Sequence, residues 1–203
     1  MQEITVAIFL GLAIKLYALL TPTVILSAFI NYTHKIDRPA RRKIALKTGV
    51  AIYVTGQILI VSGSALFDIF GFTLDAFRIG VGLLLFLSAV ELMDHDESGK
   101  LPANPSLDIS VVPLAIPLGM GPSTIGAVMV LGATAKSTTE IIFTSSALLL
   151  AAFGITVTLY LARAFERVLG KTGLLVLSKL TALLVSAIAA QVIFTGIRAF
   201  LKQ

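Results

Sequence analysis

The chain of 203 residues has no cysteine. That excludes a disulfide, a thiolate metal site and a cysteine nucleophile, and it leaves the redox compartment open. Histidine is almost as scarce. His34 and His95 are far apart in loop-like sequence, so no His-based metal site is expected. Charged residues make up only 13% of the chain, where a soluble domain carries about 25%. The net charge of +5 comes from 16 Lys and Arg against 11 Asp and Glu, too little and too scattered for a nucleic-acid partner. Catalytic signatures are missing too. There is no P-loop, so ATP hydrolysis by this chain is not expected, and there is no HExxH, GxSxG or pair of intramembrane carboxylates. Thr21, Thr23, Ser123 and Thr124 have no His or Lys base close in sequence. The chain is read as no enzyme, with no catalytic residue, metal or cofactor. The 203 residues hold no large soluble stretch, which argues against a non-transporting sensor or assembly role.

What is abundant is apolar sequence: 57% hydrophobic residues and a mean hydropathy of +0.96. A membrane-spanning helix needs about 20 mainly apolar residues. Six stretches qualify, at 4–30, 44–67, 74–93, 109–132, 141–162 and 174–200, with the charges in the breaks between them. The first lacks a basic leading region and is too long for a signal peptide, so it is kept as mature structure. Together they predict one all-α integral membrane domain, 1–203. The first loop carries Lys35, Arg38, Arg41, Arg42 and Lys43, and the fifth carries Arg163, Arg167 and Lys171. The second loop has no Lys or Arg, and the fourth has only Lys136. Basic loops stay in the cytoplasm. Loops one, three and five are therefore expected there, with both termini outside. The acidic third loop dissents weakly, because Asp and Glu contribute little to orientation. The basic first loop reads first as an orientation signal, and secondarily as a surface for anionic lipid headgroups.

Residues 113–127, PLAIPLGMGPSTIGA, break the fourth span with three prolines and three glycines. An echo lies 100 residues earlier, where LLTPTVI (19–25) aligns with GMGPSTI (119–125), Pro22 with Pro122 and Thr23 with Ser123. RIGVGLLLFLSAVE (78–91) aligns at the same offset with SKLTALLVSAIAAQ (178–191), placing Glu91 opposite Gln191. Three spans followed by three spans must insert with opposite orientation. The expectation is a 3+3 inverted repeat, 1–93 and 109–203 joined by loop 94–108, with spans one and four broken by Pro and Gly. Proline removes a donor, so Pro22 should free the carbonyl of Ala18, and Pro117 and Pro122 those of Pro113 and Leu118. Bare backbone in lipid costs several kcal/mol per group, so both breaks should face protein or a wet cavity. Half-helices starting near Thr23 and Ser123 would aim N–H groups at a carboxylate. Freed carbonyls would suit an ammonium or a small cation.

ISVVPLAIPLGMGP (109–122), FGFTLDAFRIGVG (70–82) and LGKTGLLVLSKL (169–180) resemble the MarC/SnatA family of small membrane proteins. The resemblance covers essentially the whole chain and is most specific in the fourth span. It implies a six-helix inner-membrane protein. Members of the SnatA type are described as transporters of small neutral amino acids such as glycine and alanine, coupled to protons. Other members carry a multiple-antibiotic-resistance name without an established substrate. The chain departs from the family in places. Thr21-Pro22-Thr23 stands where Asn-Pro or Asp-Pro is usual, Gly121-Pro122-Ser123 where Gly-Pro-Gly is frequent, and Lys179 in place of an arginine.

The predicted site is therefore a substrate pocket between spans one and four. It is built from Thr21, Pro22, Thr23, Pro117, Gly119, Gly121, Pro122, Ser123 and Thr124. Four further polar residues are candidates for coupling or for lining the pocket. Lys15 lies two helical turns before Pro22 and is either a charge near the pocket or a snorkelling lysine. Gln57 sits one position off a stripe of Thr48-Gly49, Thr55-Gly56 and Ser62-Gly63, whose first expected role is close helix packing. Glu91 is the best placed carboxylate in a span, and Gln191 its deeper neutral counterpart. The partners expected are a small-molecule solute, a coupling ion for which a proton is the candidate, and the lipid bilayer. Oligomeric state is left open. The leading function is a secondary transporter of small neutral amino acids, followed by an exporter of another small polar solute and a passive channel.

Overall fold

The computed structural model describes residues 2–71, 73–94, 108–135 and 137–201, and among these every regular element is helical. In chain order they are α1 (Gln2–Leu19), α2 (Pro22–Thr33), α3 (Arg38–Phe70), α4 (Leu74–Asp94), an irregular coil Ser110–Gly119, α5 (Pro122–Thr134), α6 (Thr138–Tyr160) and α7 (Ala162–Phe200). Four helices are long and apolar enough to cross a membrane: Arg38–Gly63, Leu74–Asp94, Thr138–Tyr160 and Thr172–Phe200. Two bent pairs, Val6–Leu19 with Pro22–Thr33 at 47° and Ser110–Gly119 with Pro122–Thr134 at 74°, bring the count among the described residues to as many as six if each pair is one span. The bends fall in the first and fourth predicted spans. The acidic third loop with His95, and Lys136 of the fourth, lie outside the described residues.

Local chemistry sets the boundaries. Pro22 and Pro122 each open a helix, where a missing N–H costs nothing. Gly71, at φ 68°, closes α3 by donating its N–H to Phe67 O. Ser137 caps α6 by accepting the Glu140 N–H at 3.2 Å. The helices run beyond the predicted spans: α3 begins at Arg38, ahead of 44, and α7 at Ala162, ahead of an apolar span that itself starts at Thr172, close to the predicted 174, with an interruption at Gly170 (φ 60°). The charged sequence ARAFER is a good helix former, and polarity bars it from lipid, not from the helix.

Before its break, the fourth span is not an ordinary helix. Val112 and Ile116 are extended, and the bonds to Pro113 and Pro117 are cis. Leu114 N–H reaches Ile109 O at 3.3 Å, and Met120 N–H reaches Ala115 O at 2.8 Å, both one residue wider than α-helical. The start of this coil is held by Asp108. Its carboxylate pairs with Lys47 Nζ of α3 at 2.6 Å and accepts from the Ser110 N–H at 3.2 Å and from the Ser110 hydroxyl. Thr48 Oγ1 donates to Ser110 O at 3.0 Å beside it. The Lys47 and Ser110 hydrogen bonds hold the Asp108 carboxyl at about 2, below its usual 3.8. A depressed carboxylate contributes its stability above the unfolded value and loses it as pH falls through the folded one. The tether should therefore be intact at neutral pH and weaken from about pH 4 towards 2. Lys47→Met is expected to loosen residues 108–112 already at pH 7, read as faster hydrogen exchange there.

Close helix contacts depend on glycine. A methyl built on Gly132 of α5 would sit 2.3 Å from Ile60 O of α3, and one on Gly63 of α3 would sit 2.8 Å from Met129 O of α5. Gly49 and Gly56 take the side chains of Thr156 and Leu148 of α6 against them. The small-residue stripe of α3 is therefore a packing surface, running from α6 to α5. Gly82 lets α4 lie on Ile193 and Ala189 of α7. The main core gathers Leu16, Leu20, Ile25, Phe29, Ile52, Leu114, Met120, Leu148 and Ile155 around the two bends. Ile14, Ile58, Phe153 and Phe194 are exposed on the outside, as lipid-facing side chains are.

Candidate functional site

At the first break Thr21 is left-handed (φ 46°, ψ 62°), a conformation β-branched residues rarely adopt. The turn aims its hydroxyl across the molecule: Thr21 Oγ1 donates to Leu118 O at 3.1 Å. Leu118 O is the carbonyl that Pro122 deprives of its helical donor. The second break answers, with Thr124 Oγ1 donating to Leu19 O at 2.7 Å. The expectation for Ala18 is corrected, because its carbonyl accepts the Thr21 N–H at 3.0 Å in a tighter turn. Two more hydroxyl pairs tie the half-helix starts to other helices: Ser178 Oγ donates to Thr23 Oγ1 at 3.0 Å, and Ser88 Oγ lies 3.0 Å from Ser123 Oγ. The breaks thus face each other, and each donates a hydroxyl to a backbone carbonyl of the other. Thr124→Val keeps shape but strands Leu19 O, and a buried unpaired carbonyl costs about 1–3 kcal/mol. The variant is expected to melt several degrees lower in detergent than wild type.

A cavity of about 630 Å³ opens at this meeting point. Its inner end is formed by Thr21, Pro117, Gly121, Pro122, Ser123 and Thr124, with Leu118. One wall is the face of α2 carrying Val24, Ser27, Ala28 and Asn31, spaced i, i+3, i+4, i+7. The opposite wall is Ser88, Glu91 and Leu92 of α4, with Ser178 of α7. The mouth lies where α2 ends at exposed Asn31 and half-buried Tyr32, beside exposed Glu91, and Pro117 and Pro122 at the break end are exposed as well. α2 and α5 both begin at the inner end, and neither N-cap residue, Thr21 or Gly121, provides a side-chain cap. Helix N-termini carry about half a positive charge each and favour an anion. Among the described residues, Glu91 is the one carboxylate lining the cavity, and it has no ion-pair partner. The cavity therefore combines positive ends inside, hydroxyls along the walls and a negative charge towards the mouth.

Six of the nine predicted pocket residues line this cavity, as does Glu91. Pro22 and Thr23 are buried behind its wall, with Thr23 held by Ser178. Gly119 is buried where a methyl would meet Ile25 and Ile52 at 3.0 Å, so it serves packing. Lys15 is exposed on the outer side of α1. Its helical alignment with Pro22 is lost because the chain turns 47° between them. Gln57 bonds Ser145 Oγ at 2.9 Å between α3 and α6, its Oε1 buried without a partner among the described residues. Gln191 is exposed on α7. Ser27, Asn31, Tyr32, Ser88 and Ser178 line the cavity without being foreseen. The polar face of α2, Ser27 and Asn31 one turn apart, is the signal that points to the first two. Among the described residues, no three His, Asp or Glu side chains gather as a metal site needs.

Residues 6–201 match the profile of the MarC family integral membrane proteins. The chain belongs to the MarC family. It is 31% identical over 210 residues to a UPF0056 membrane protein of Aquifex aeolicus, covering 100% of this chain and 98% of that one. It is 32% identical over 193 residues to UPF0056 membrane protein MJ1677 of Methanocaldococcus jannaschii, covering 91% and 93%. It is 30% identical over 192 residues to UPF0056 membrane protein YhcE of Escherichia coli, covering 91% and 89%. No solved structure matches. In this MarC protein the fourth-span motif forms the inner end of the cavity. RIGVG works elsewhere: Arg78 pairs with Asp75 at 2.6 Å, and Gly82 seats α4 on α7.

Proposed function

We propose that this MarC-family protein is a secondary transporter of small neutral amino acids of glycine or alanine size. One observation carries the reading: two helix N-termini without side-chain caps meet at the inner end of a hydroxyl-lined cavity whose one carboxylate among the described residues, Glu91, stands towards the mouth. A zwitterion matches that order of charge, with its carboxylate on the N-termini and its ammonium towards Glu91 and hydroxyl oxygens. The chain forms a 3+3 inverted repeat in the inner membrane, with both termini outside. The cavity mouth then faces the cytoplasm, on the side of the basic first connection. Substrate passes as the halves rock about the braced breaks. Glu91 is the carboxylate through which a proton or another ion couples. A passive channel is disfavoured, because the Thr21–Leu118 and Thr124–Leu19 hydrogen bonds hold the two breaks together across the path.

Purified protein in liposomes should take up labelled glycine or alanine in a saturable way and show counterflow. Absence of uptake and counterflow under proton, sodium and zero gradients would overturn the proposal. Lys15→Met is expected to transport at the wild-type rate with the same pH dependence, since Lys15 faces outward.

A further inference from the structure

We infer that the end of the bundle where α3 and α7 begin is a binding site for the headgroup phosphate of an anionic membrane lipid. Neither the cavity nor the transport reading enters this inference.

Arg41 of α3 stands among like charges from two distant parts of the chain. Arg42 packs on Tyr160, two residues before α7 begins, which brings Arg38, Arg41 and Arg42 to the same end as Arg163, and Arg163 and Glu166 both lie within electrostatic reach of Arg41. These guanidiniums also occupy the wrong end of their helices. The first turn of α3 contains no acidic residue, nor does that of α7, while both contain arginine; Asp37 at the N-cap of α3 makes no side-chain capping bond. Helix N-termini favour negative charge, so arginines there are repelled by the backbone as well as by one another. One anion between the two helix starts relieves both conflicts, and a planar guanidinium pairs with phosphate through two parallel hydrogen bonds.

The surroundings identify the carrier of the phosphate. Arg42 lies 4.7 Å from the ring centroid of Tyr160, which is 49% exposed and ends the α6 span. Tyrosine at a span end marks the headgroup level of the bilayer. Leu46, one turn inside Arg42 on α3, is exposed, as are Leu161 and Val168 on the α7 side. The guanidiniums thus lie over outward-facing apolar side chains, the arrangement a phosphate with acyl chains below it requires. A free phosphate would have no use for the exposed leucines.

The test is lipid retention by the full chain. The protein is reconstituted in vesicles of phosphatidylcholine with a minor share of phosphatidylglycerol, re-extracted in mild detergent and examined by native mass spectrometry. Retention of phosphatidylglycerol well above its share of the vesicle is expected. Arg41→Gln with Arg163→Gln should lower it at least fivefold, whereas Arg198→Gln at the far end of α7 should not. Glu166→Gln should raise it, and this variant keeps the test decisive if the double variant folds poorly. Equal retention in wild type and double variant, an equal fall in Arg198→Gln, or unchanged or lower retention in Glu166→Gln would overturn the inference. So would displacement of the lipid by millimolar inorganic phosphate, which would make the site one for free anions.

Discussion

Gly121→Leu is expected to cut solute uptake at least tenfold while leaving the protein folded. Gly121 has φ −71° and ψ 170°, a conformation open to any residue. A methyl built there meets only Pro117 O, at 3.4 Å, an ordinary contact. The backbone therefore has no need of glycine, and a larger side chain extends into the cavity beside both helix N-termini. An isobutyl group there occupies the space of a small amino acid's own side chain. Gly121→Ala should give a graded result: glycine transport retained, and larger substrates lost in order of size. Pro122→Ala is the companion variant. It restores an N–H that competes with the Thr21 hydroxyl for Leu118 O, and uptake should fall through the brace rather than through bulk. Counterflow rates set beside melting temperatures check both. Normal flux from Gly121→Leu would mean that the solute does not pass the breaks.

Gly132→Ala is expected to have the opposite profile, with stability lost first. The added methyl would lie 2.3 Å from Ile60 O, 2.7 Å from its Cα and 2.8 Å from its carbonyl carbon, all backbone. No rotamer change relieves that, so α5 must move off α3 or bend. Overpacking of this kind costs about 1–3 kcal/mol and occasionally more. The same substitution at Gly11, where nothing lies within 4 Å, should be neutral or slightly stabilising, because alanine is the better helix former. Melting of the two variants in detergent gives the comparison. Equal midpoints would mean that α3 and α5 do not pack as closely as described.

The fold is legible in the sequence because its two strongest signals are compositional. Long apolar runs give the spans, and proline at 22, 117 and 122 gives the breaks. Both survive without knowledge of neighbours. What fails is direction. Lys15 and Pro22 share a face only on an unbroken helix, and the break that makes the site interesting also cancels that geometry. Gln191 aligns with Glu91 at the offset of 100 yet is exposed on α7, because alignment of positions does not carry the rotation of a helix about its axis. Thr23 and Gly119 lie at the right depth, but they are buried behind the surface the solute would meet. Ser88 and Ser178 are single serines in apolar helices, and only the hydroxyls opposite them, on Ser123 and Thr23, give them meaning.

The exchange of donors between the breaks has a mechanical consequence. Each break holds the hydroxyl that completes the other's backbone: Thr21 serves Leu118, and Thr124 serves Leu19. Swinging α2 alone withdraws Thr21 and leaves a carbonyl bare in the second break. Swinging α5 alone does the same to the first. Either half-motion carries the penalty of an unpaired buried group, about 1–3 kcal/mol, whereas a joint rotation can trade one set of partners for another. The two hydrogen bonds therefore favour joint movement of the two bends over independent movement of either.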